Sequence, residues 1–452
     1  MRKIHPGDPE VLAGIFFPDH DHLLVLSHDM LMPDPANLPP GRIVLVLVGN
    51  CQPPEALYLQ AAGVIAFFCS TKRLPGFQYR DFRVVNNHDG SIRWLHPVDC
   101  RKPVFLRLYN GSGWGGRLYR AVFQLSFALG LGRLLASGRI RIFFHKRQLL
   151  DELLSSLGSP TFGIFTGTVG DNRKAIIAVP SEDSNSQGRF FKLPLTESAK
   201  SFIEREHFVL ESLRHVSLKK LAVPKASALC GGLLLTDVRP KQYRNEAELW
   251  PLHLDALLEL HDHTLQHCPL ISLPAWDSIR TSLEELATQP PANELNPEVI
   301  EAMREELCNL FDAFDPFDLM PTTLAHGDFT PWNMYLAQDR LHVYDWEMSE
   351  RLPLLYDAFH FIFQTSVLVH QQPFSVIARR VSALRAAPQT RAMLTGQTVK
   401  FDQLYRFYLL RNISYYLRKY IAQPHIHQQA FWLLITWREA LGALRKGSEV
   451  SS

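Results

Sequence analysis

The sequence predicts an α+β fold, with a separate small α/β domain over residues 1–144, a β-rich lobe over 145–240 and a helical lobe over 241–452. Three observations carry this prediction. Arg42-Ile43-Val44-Leu45-Val46-Leu47-Val48 is a continuous Val/Ile/Leu run, the pattern of a strand covered on both faces. Short strand patterns recur at 163–165, 175–179 and 189–193. After Pro240 the periodicity turns helical, apart from a strand-loop-strand around 323–346.

Composition narrows the classes. The 452 residues suggest two or three domains at ~150 residues each. With 46% hydrophobic and 20% charged residues the chain is globular, and long enough to bury a core without disulfide or metal support. Forty-seven Lys and Arg against 45 Asp and Glu leave a net charge of +2, which does not suggest a dedicated nucleic-acid binder. Cys51, Cys69, Cys100, Cys230, Cys268 and Cys308 include no C-x-x-C pair and read as reduced core residues of an intracellular protein. Met1-Arg2-Lys3-Ile4-His5-Pro6 lacks an apolar signal core, and no apolar run reaches the ~18 residues of a membrane span. The expectation is a soluble cytoplasmic protein.

Along the first third, a helix near Pro54–Ala62 and a strand Val64–Phe68 follow the 42–48 run, the spacing of a βαβ unit. Phe82-Arg83-Val84-Val85 and Ser91-Ile92-Arg93-Trp94-Leu95 flank an Asp89-Gly90 turn and predict a hairpin. Residues 117–136 read as an apolar helix bordered by Arg117, Arg120 and Arg133. It suits a membrane surface or a buried position, and Gly130 and Gly132 favour the buried one. Arg147–Leu157 is an amphipathic helix ended by Gly158 and Pro160. A helix over 196–215 and a strand Leu233–Thr236 complete the β-rich lobe.

The chemistry concentrates in His326-Gly327-Asp328-Phe329-Thr330-Pro331-Trp332-Asn333, where Asp and Asn stand five apart as in the H-R-D-L-x-x-x-N loop of protein kinases. Seventeen residues after Asp328, the apolar strand Leu341-His342-Val343-Tyr344 ends in Asp345-Trp346-Glu347. Phosphoryl transfer needs a carboxylate to take the proton of an attacking hydroxyl, a role that suits Asp328. It also needs hard oxygen ligands for Mg²⁺, which Asn333 and Asp345 supply. Pro331 and Trp332 would stiffen the loop, and positioning is much of the catalysis.

This loop, with Gly where protein kinases carry Arg, followed by an apolar strand and D-W-E, resembles the aminoglycoside phosphotransferase/choline kinase-like family. The resemblance covers roughly residues 145–440 and implies a bilobal protein kinase-like fold that uses ATP and Mg²⁺ to phosphorylate a hydroxyl of a small molecule, a sugar or sugar-containing metabolite. Leu257-Leu258-Glu259-Leu260-His261 and Leu352-Pro353-Leu354-Leu355-Tyr356-Asp357 resemble family segments on either side of the loop, with Asp357 as N-cap and loop organiser. By the same resemblance Asp328 is the base, His326 braces the loop, Gly327 leaves room beside it, and Asn333 and Asp345 bind the metal. Lys192 would contact the ATP phosphates and Glu206 would pair with it, on a helix whose inward face includes Leu210 and Leu213. Lys174 is the rival lysine, and Glu204 and Glu211 share the helix with Glu206. Val223-Pro224 resembles the entry to the next strand, and Thr236-Asp237-Val238 falls at the adenine-contacting hinge. Gly167 and Gly170 stand where a fuller Gly-rich phosphate loop belongs.

Other clusters read as structural. His263 and His267 are spaced i, i+4 but lack the Glu of a zinc protease, and His261 and Asp262 beside them suit capping or solvation. His425 and His427 suit a loop. Residues 251–320 hold 14 acidic residues against Arg280 and Arg304, whereas 351–452 hold 13 basic residues against 4 acidic ones. An acidic lining suits a cationic acceptor and a basic lining an anionic sugar; alternatively the two stretches neutralise each other. Tyr405-Arg406-Phe407-Tyr408 and Tyr415–Tyr420 read as helix core with a basic face, or as a surface for a sugar or a membrane. Only 11 residues separate Asp345 from Tyr356, too few for a protein-kinase activation segment. Two further readings stand beside a soluble small-molecule kinase: a silent nucleotide-binding scaffold, and a membrane-peripheral kinase of a lipid-linked saccharide.

Overall fold

A computed structural model describes residues 5–27, 29–30, 32–49, 51–67, 73–108, 114–145, 149–158, 161–181 and 187–449. The expectations resting on Met1–Ile4, Phe68, Cys69, Arg147, Pro160 and the Arg117 side chain lie outside the described residues. The chain divides into two compact units, residues 1–207 with 225–237, and residues 208–224 with 238–452.

The first unit begins with α1 (Asp8–Phe16), β1 (His22–Ser27), β2 (Ile43–Val48), α2 (Glu55–Gln60) and β3 (Ala61–Phe67). There follow β4 (Gln78–Asn86), β5 (Ile92–Pro97), α3 (Trp114–Ala128), β6 (Gly138–Phe144), α4 (Leu149–Leu157), β7 (Gly163–Phe165), β8 (Lys174–Val179) and β9 (Arg189–Pro194). Helix α5 (Glu197–Leu213) runs from the first unit into the second, which takes β10 (Leu221–Ala222). Strands β11 (Ala226–Leu229) and β12 (Gly232–Thr236) return to the first.

Among the described residues, eleven strands of this unit form one sheet in the order β1-β2-β3-β6-β4-β5-β7-β8-β9-β12-β11. Strands β1 to β3 are parallel, and α2 makes the crossover that the 42–68 pattern predicts. Five of the six β2 residues are buried, as expected of a central strand without alternation. The predicted hairpin is β4-β5. Pairing of Trp94 with Phe165 and of Leu95 with Ile164 joins β5 to β7, so strands on both sides of residue 145 lie in the same sheet. The core is continuous with it, because Phe82, Ile92 and Leu95 cluster with Ile164, Ile177 and Phe191.

Helix α3 departs from expectation. It stops at Ala128, not at 136, because Gly130 adopts φ +70° and Leu131 N–H turns back to the Ser126 carbonyl at 2.7 Å. A 3-10 turn, Gly132–Leu135, follows. Phe123 and Phe127 are buried against Phe105, while Leu118, Val122, Leu125 and Leu129 are exposed. The helix is thus buried on one side only.

The second unit continues with α6 (Pro251–Thr264), β13 (Gln266–Pro269), α7 (Pro274–Thr288), α8 (Pro297–Asp312), β14 (Leu319–Ala325), β15 (Met334–Ala337), β16 (Arg340–Val343) and β17 (Glu350–Pro353). It ends in α9 (Tyr356–Gln364), a π-helical turn at Thr365–Val369, α10 (Phe374–Ala386), α11 (Pro388–Leu394), α12 (Phe401–Ala422) and α13 (Gln428–Glu449). Two three-stranded sheets, β10-β16-β15 and β13-β14-β17, sit within the helical framework. Strands β13 and β17 exceed the single strand-loop-strand expected, because four polar-rich residues such as Gln266–Pro269 carry no alternation to read.

Helix α12 is largely buried, with Phe407, Tyr408, Leu409 and Leu410 fully enclosed and Tyr416 stacked on Trp437, so the aromatic stripe of the C-terminal region is helix core. Arg418 pairs with Glu285 at 3.1 Å and Arg445 with Glu306 at 3.2 Å, so the basic and acidic stretches do neutralise each other in part. No described cysteine forms a disulfide. Among the described residues, no helix is long and apolar enough to cross a membrane.

Candidate active site

In the second unit, β14 ends at Ala325 and delivers the 326–333 loop. His326 is wholly buried. Its Nε2 lies 3.0 Å from the Tyr344 carbonyl and its Nδ1 accepts from Asp328 N–H at 3.2 Å, which sets the Nε2–H tautomer. Gly327 has φ +81°, and a Cβ there would meet the Met348 carbonyl at 2.2 Å. Glycine is therefore required by backbone conformation and by the chain packed against it; the expectation that it leaves room is replaced by close contact.

Asp357 braces the same loop. Its carboxylate accepts from His326 N–H at 2.7 Å and Gly327 N–H at 3.0 Å. Burial pushes its pKa up, against the pull of His326 and the two backbone donors. It organises the loop, but it is not the N-cap: Leu355, at φ +65°, holds that position and α9 starts at Tyr356.

Asp328 is held from two sides. Asn333 Nδ2 donates to its Oδ2 at 2.9 Å and to its backbone carbonyl at 3.0 Å. His360 Nε2, from α9, lies 3.4 Å from Oδ1. The Asp328 side chain stays about one-third exposed, so it is held yet open to a partner. Pro331–Asn333 form a 3-10 turn, and Tyr344 O–H donates to the Trp332 carbonyl.

Strand pairing places the second carboxylate. Met334 pairs with Val343, and Tyr344 N–H donates to the Asn333 carbonyl at 3.0 Å, so the chain emerges beside Asn333 just before Asp345. Asp345 sits at φ +68°, ψ +54°, a left-handed conformation that costs a non-glycine residue on the order of 1 kcal/mol and concentrates at functional sites. Its carboxylate and that of Glu347 lie within 4.8 Å of each other. Asn333 spends its amide nitrogen on Asp328, which leaves its oxygen for another partner. Hard oxygens from one amide and two carboxylates fit a divalent ion such as Mg²⁺.

The first unit holds the other candidates. Lys192, on β9, and Glu206, on α5, form a buried ion pair with Nζ–Oε2 of 2.6 Å, at 5% and 0% exposure. Glu206 shares its helix face with Ile203 and Leu210, whereas Glu204 is exposed; Lys174, the rival lysine, is only part-buried. Gly167 and Gly170 lie between β7 and β8 with φ of +82° and +150°. A Cβ on Gly167 would meet the Lys174 carbonyl at 2.3 Å, so the hairpin itself demands it. At the end of β12, Thr236 Oγ1 accepts from Lys225 N–H at 2.9 Å. Asp237 is buried, donates its N–H to the Gly188 carbonyl and pairs with Arg107 at 3.1 Å. The first unit ends at Asp237, and Val238 opens the return to the second.

Two residues escaped sequence reasoning. His360 lies in the apolar run Phe359–Phe363 and reads as core, and only the fold brings it to Asp328. Glu259 accepts from Lys220 and Leu221 N–H at 2.8 and 2.9 Å and so anchors β10; its place beside His261 was the available signal. The histidines read as structural are placed apart: α6 ends at Thr264, His267 belongs to β13 and bonds Gln397, and His261 pairs with Asp262.

Residues 182–394 match the model of the phosphotransferase enzyme family (APH). Several solved structures are similar to the chain. Choline kinase LicA from Streptococcus pneumoniae is 13% identical, with 65% of this chain and 98% of that one covered and a TM-score of 0.41. Aminoglycoside phosphotransferase APH(2'')-Ib, ADP-bound, is 16% identical over 65% and 96% of the two chains, with a TM-score of 0.38. Macrolide 2'-phosphotransferase MphH from Brachybacterium faecium is 16% identical over 62% and 99%, with a TM-score of 0.37. No curated protein matches the chain.

Proposed function

We propose that this chain, whose residues 182–394 match the model of the phosphotransferase enzyme family, is a kinase that transfers the γ-phosphate of ATP to a hydroxyl of a small molecule. The observation that carries the reading is Asp328, part-exposed in a glycine-containing loop and held by Asn333 at 2.9 Å and His360 at 3.4 Å. In this role Asp328 orients the acceptor hydroxyl and takes its proton as the bond to phosphorus forms. His326 and Asp357 keep the loop in the geometry that presents Asp328. Lys192, aligned by Glu206, contacts the phosphates, and Thr236, Asp237 and Val238 contribute to nucleotide binding. Asn333 and Asp345 would hold Mg²⁺, which when bound neutralises charge on the transferring phosphoryl group.

For the acceptor, a sugar or sugar-containing metabolite is the favoured class. Arg418–Glu285 and Arg445–Glu306 cancel part of the charge that would otherwise draw a strongly cationic or anionic acceptor. Purified protein with Mg²⁺ and ATP is expected to release ADP on addition of an acceptor from a panel of sugars, aminoglycosides and choline. Asp328→Asn should lower that rate ~10²-fold or more. Unchanged ADP release in the variant overturns the assignment of Asp328; a response to choline alone overturns the sugar.

A further inference from the structure

We propose that α3 and the turn after it form a docking face for an anionic lipid surface. Residues 100–150 contain ten Lys and Arg and no Asp or Glu, the most one-sided stretch of the chain. At their centre α3 is apolar on two sides. Tyr119, Phe123 and Phe127 pack inward against Phe105, with the Phe105 and Phe123 rings 5.4 Å apart, and they satisfy the core. The opposite side carries Leu118, Val122, Leu125 and Leu129, spaced i, i+4, i+7, i+11 along one helical stripe. They are 50%, 43%, 61% and 63% exposed, and Leu131 and Leu134 extend the stripe at 43% and 70%.

A solvated helix face ordinarily carries charge, and an exposed row of large aliphatic residues marks a surface that meets another apolar phase. The charge around the row identifies that phase. Arg133 is exposed in the turn that follows α3, between Leu131 and Leu134 of the stripe, and Arg83 and Arg139 stand in register on β4 and β6, with Arg139 paired to Asp81. Arg101 and Lys102 are exposed just before Phe105, which seats the helix. Leucines aimed outward with cations beside them are the arrangement of a helix lying in the headgroup region of an anionic bilayer. Its fifteen residues are too few to span, which fits a peripheral contact.

The test is co-sedimentation of the full chain with vesicles of phosphatidylcholine alone or mixed with phosphatidylglycerol. Binding is expected only to the mixed vesicles, and it should weaken severalfold as salt shortens the Debye length from ~10 Å to ~3 Å. Leu125→Glu/Leu129→Glu, two exposed positions outside the catalytic machinery, should reduce vesicle binding about tenfold or more. Circular dichroism and ADP release in the same variant check that it is folded and active. Equal binding to both vesicles, no binding to either, or binding that survives the double substitution overturns the proposal. So does light scattering that shows a dimer dispersed by the substitution without vesicle binding, since the row then belongs to a second copy of the chain.

Discussion

At the scale of single residues, Asp328 depends on neighbours that lie far from it in sequence. Asn333 shares its loop, but His360 comes from α9 and approaches the carboxylate with a ring that is 1% exposed. Such a ring cannot swing away without opening the core, so it limits how far Asp328 can turn. His360→Asn keeps a polar group but loses that reach. Its kcat is expected to fall about tenfold, because misplacement of a reacting group by a fraction of an ångström is costly. The KM for ATP should stay unchanged, and His360→Gln should recover part of the rate. An unaltered kcat would remove His360 from the positioning of Asp328.

At the scale of elements, the Lys192–Glu206 pair joins β9 to α5. Buried ions repay their desolvation only as a pair, so removal of one partner leaves the other uncompensated. Lys192→Met is expected to cost ~3 kcal/mol of stability, read as a lower urea midpoint. Adding Glu206→Leu should restore most of the midpoint, because two apolar side chains of similar volume pack in place of the ions. ADP release should stay absent in both variants. If the double variant is active, the pair serves only structure. The link from α9 to the 326–333 loop works differently: Asp357 spends both carboxylate oxygens on backbone N–H groups, so it acts on the geometry of the loop.

At the scale of the whole molecule, each unit carries a histidine whose pKa burial lowers to about 4. In the first, His96 is packed between Phe105 and Phe127, and burial lowers its pKa to about 4. In the second, His253 accepts from Trp250 N–H at 2.9 Å beside Phe361, and burial lowers its pKa likewise to about 4. Unfolding exposes both to water, where the ordinary value is 6.5. The unfolded chain then binds more protons than the folded one, so this stability is complete above pH 6.5 and drains away as pH falls toward 4. Each histidine accounts for about 3 kcal/mol at most by that span. Urea midpoints followed across the window should fall steeply for the native chain and less steeply for His96→Phe. Parallel curves would show that His96 is not the group responsible.

Much of the candidate site was legible before any fold was known. The Asp328-to-Asn333 spacing and the apolar strand ending at Asp345 are local features, and a loop of eight residues brings its own groups together wherever it stands. The 42–48 run likewise announces a doubly covered strand, because burial on both faces writes a continuous apolar pattern. Long-range pairing has no such local record. The β5-β7 hydrogen bonds that carry one sheet past residue 145, the approach of His360 to Asp328, and the outward turn of the α3 leucines came from packing alone. An apolar residue in a helix reads the same whether it faces a core or open solvent, and only the positions of the other elements distinguish the two.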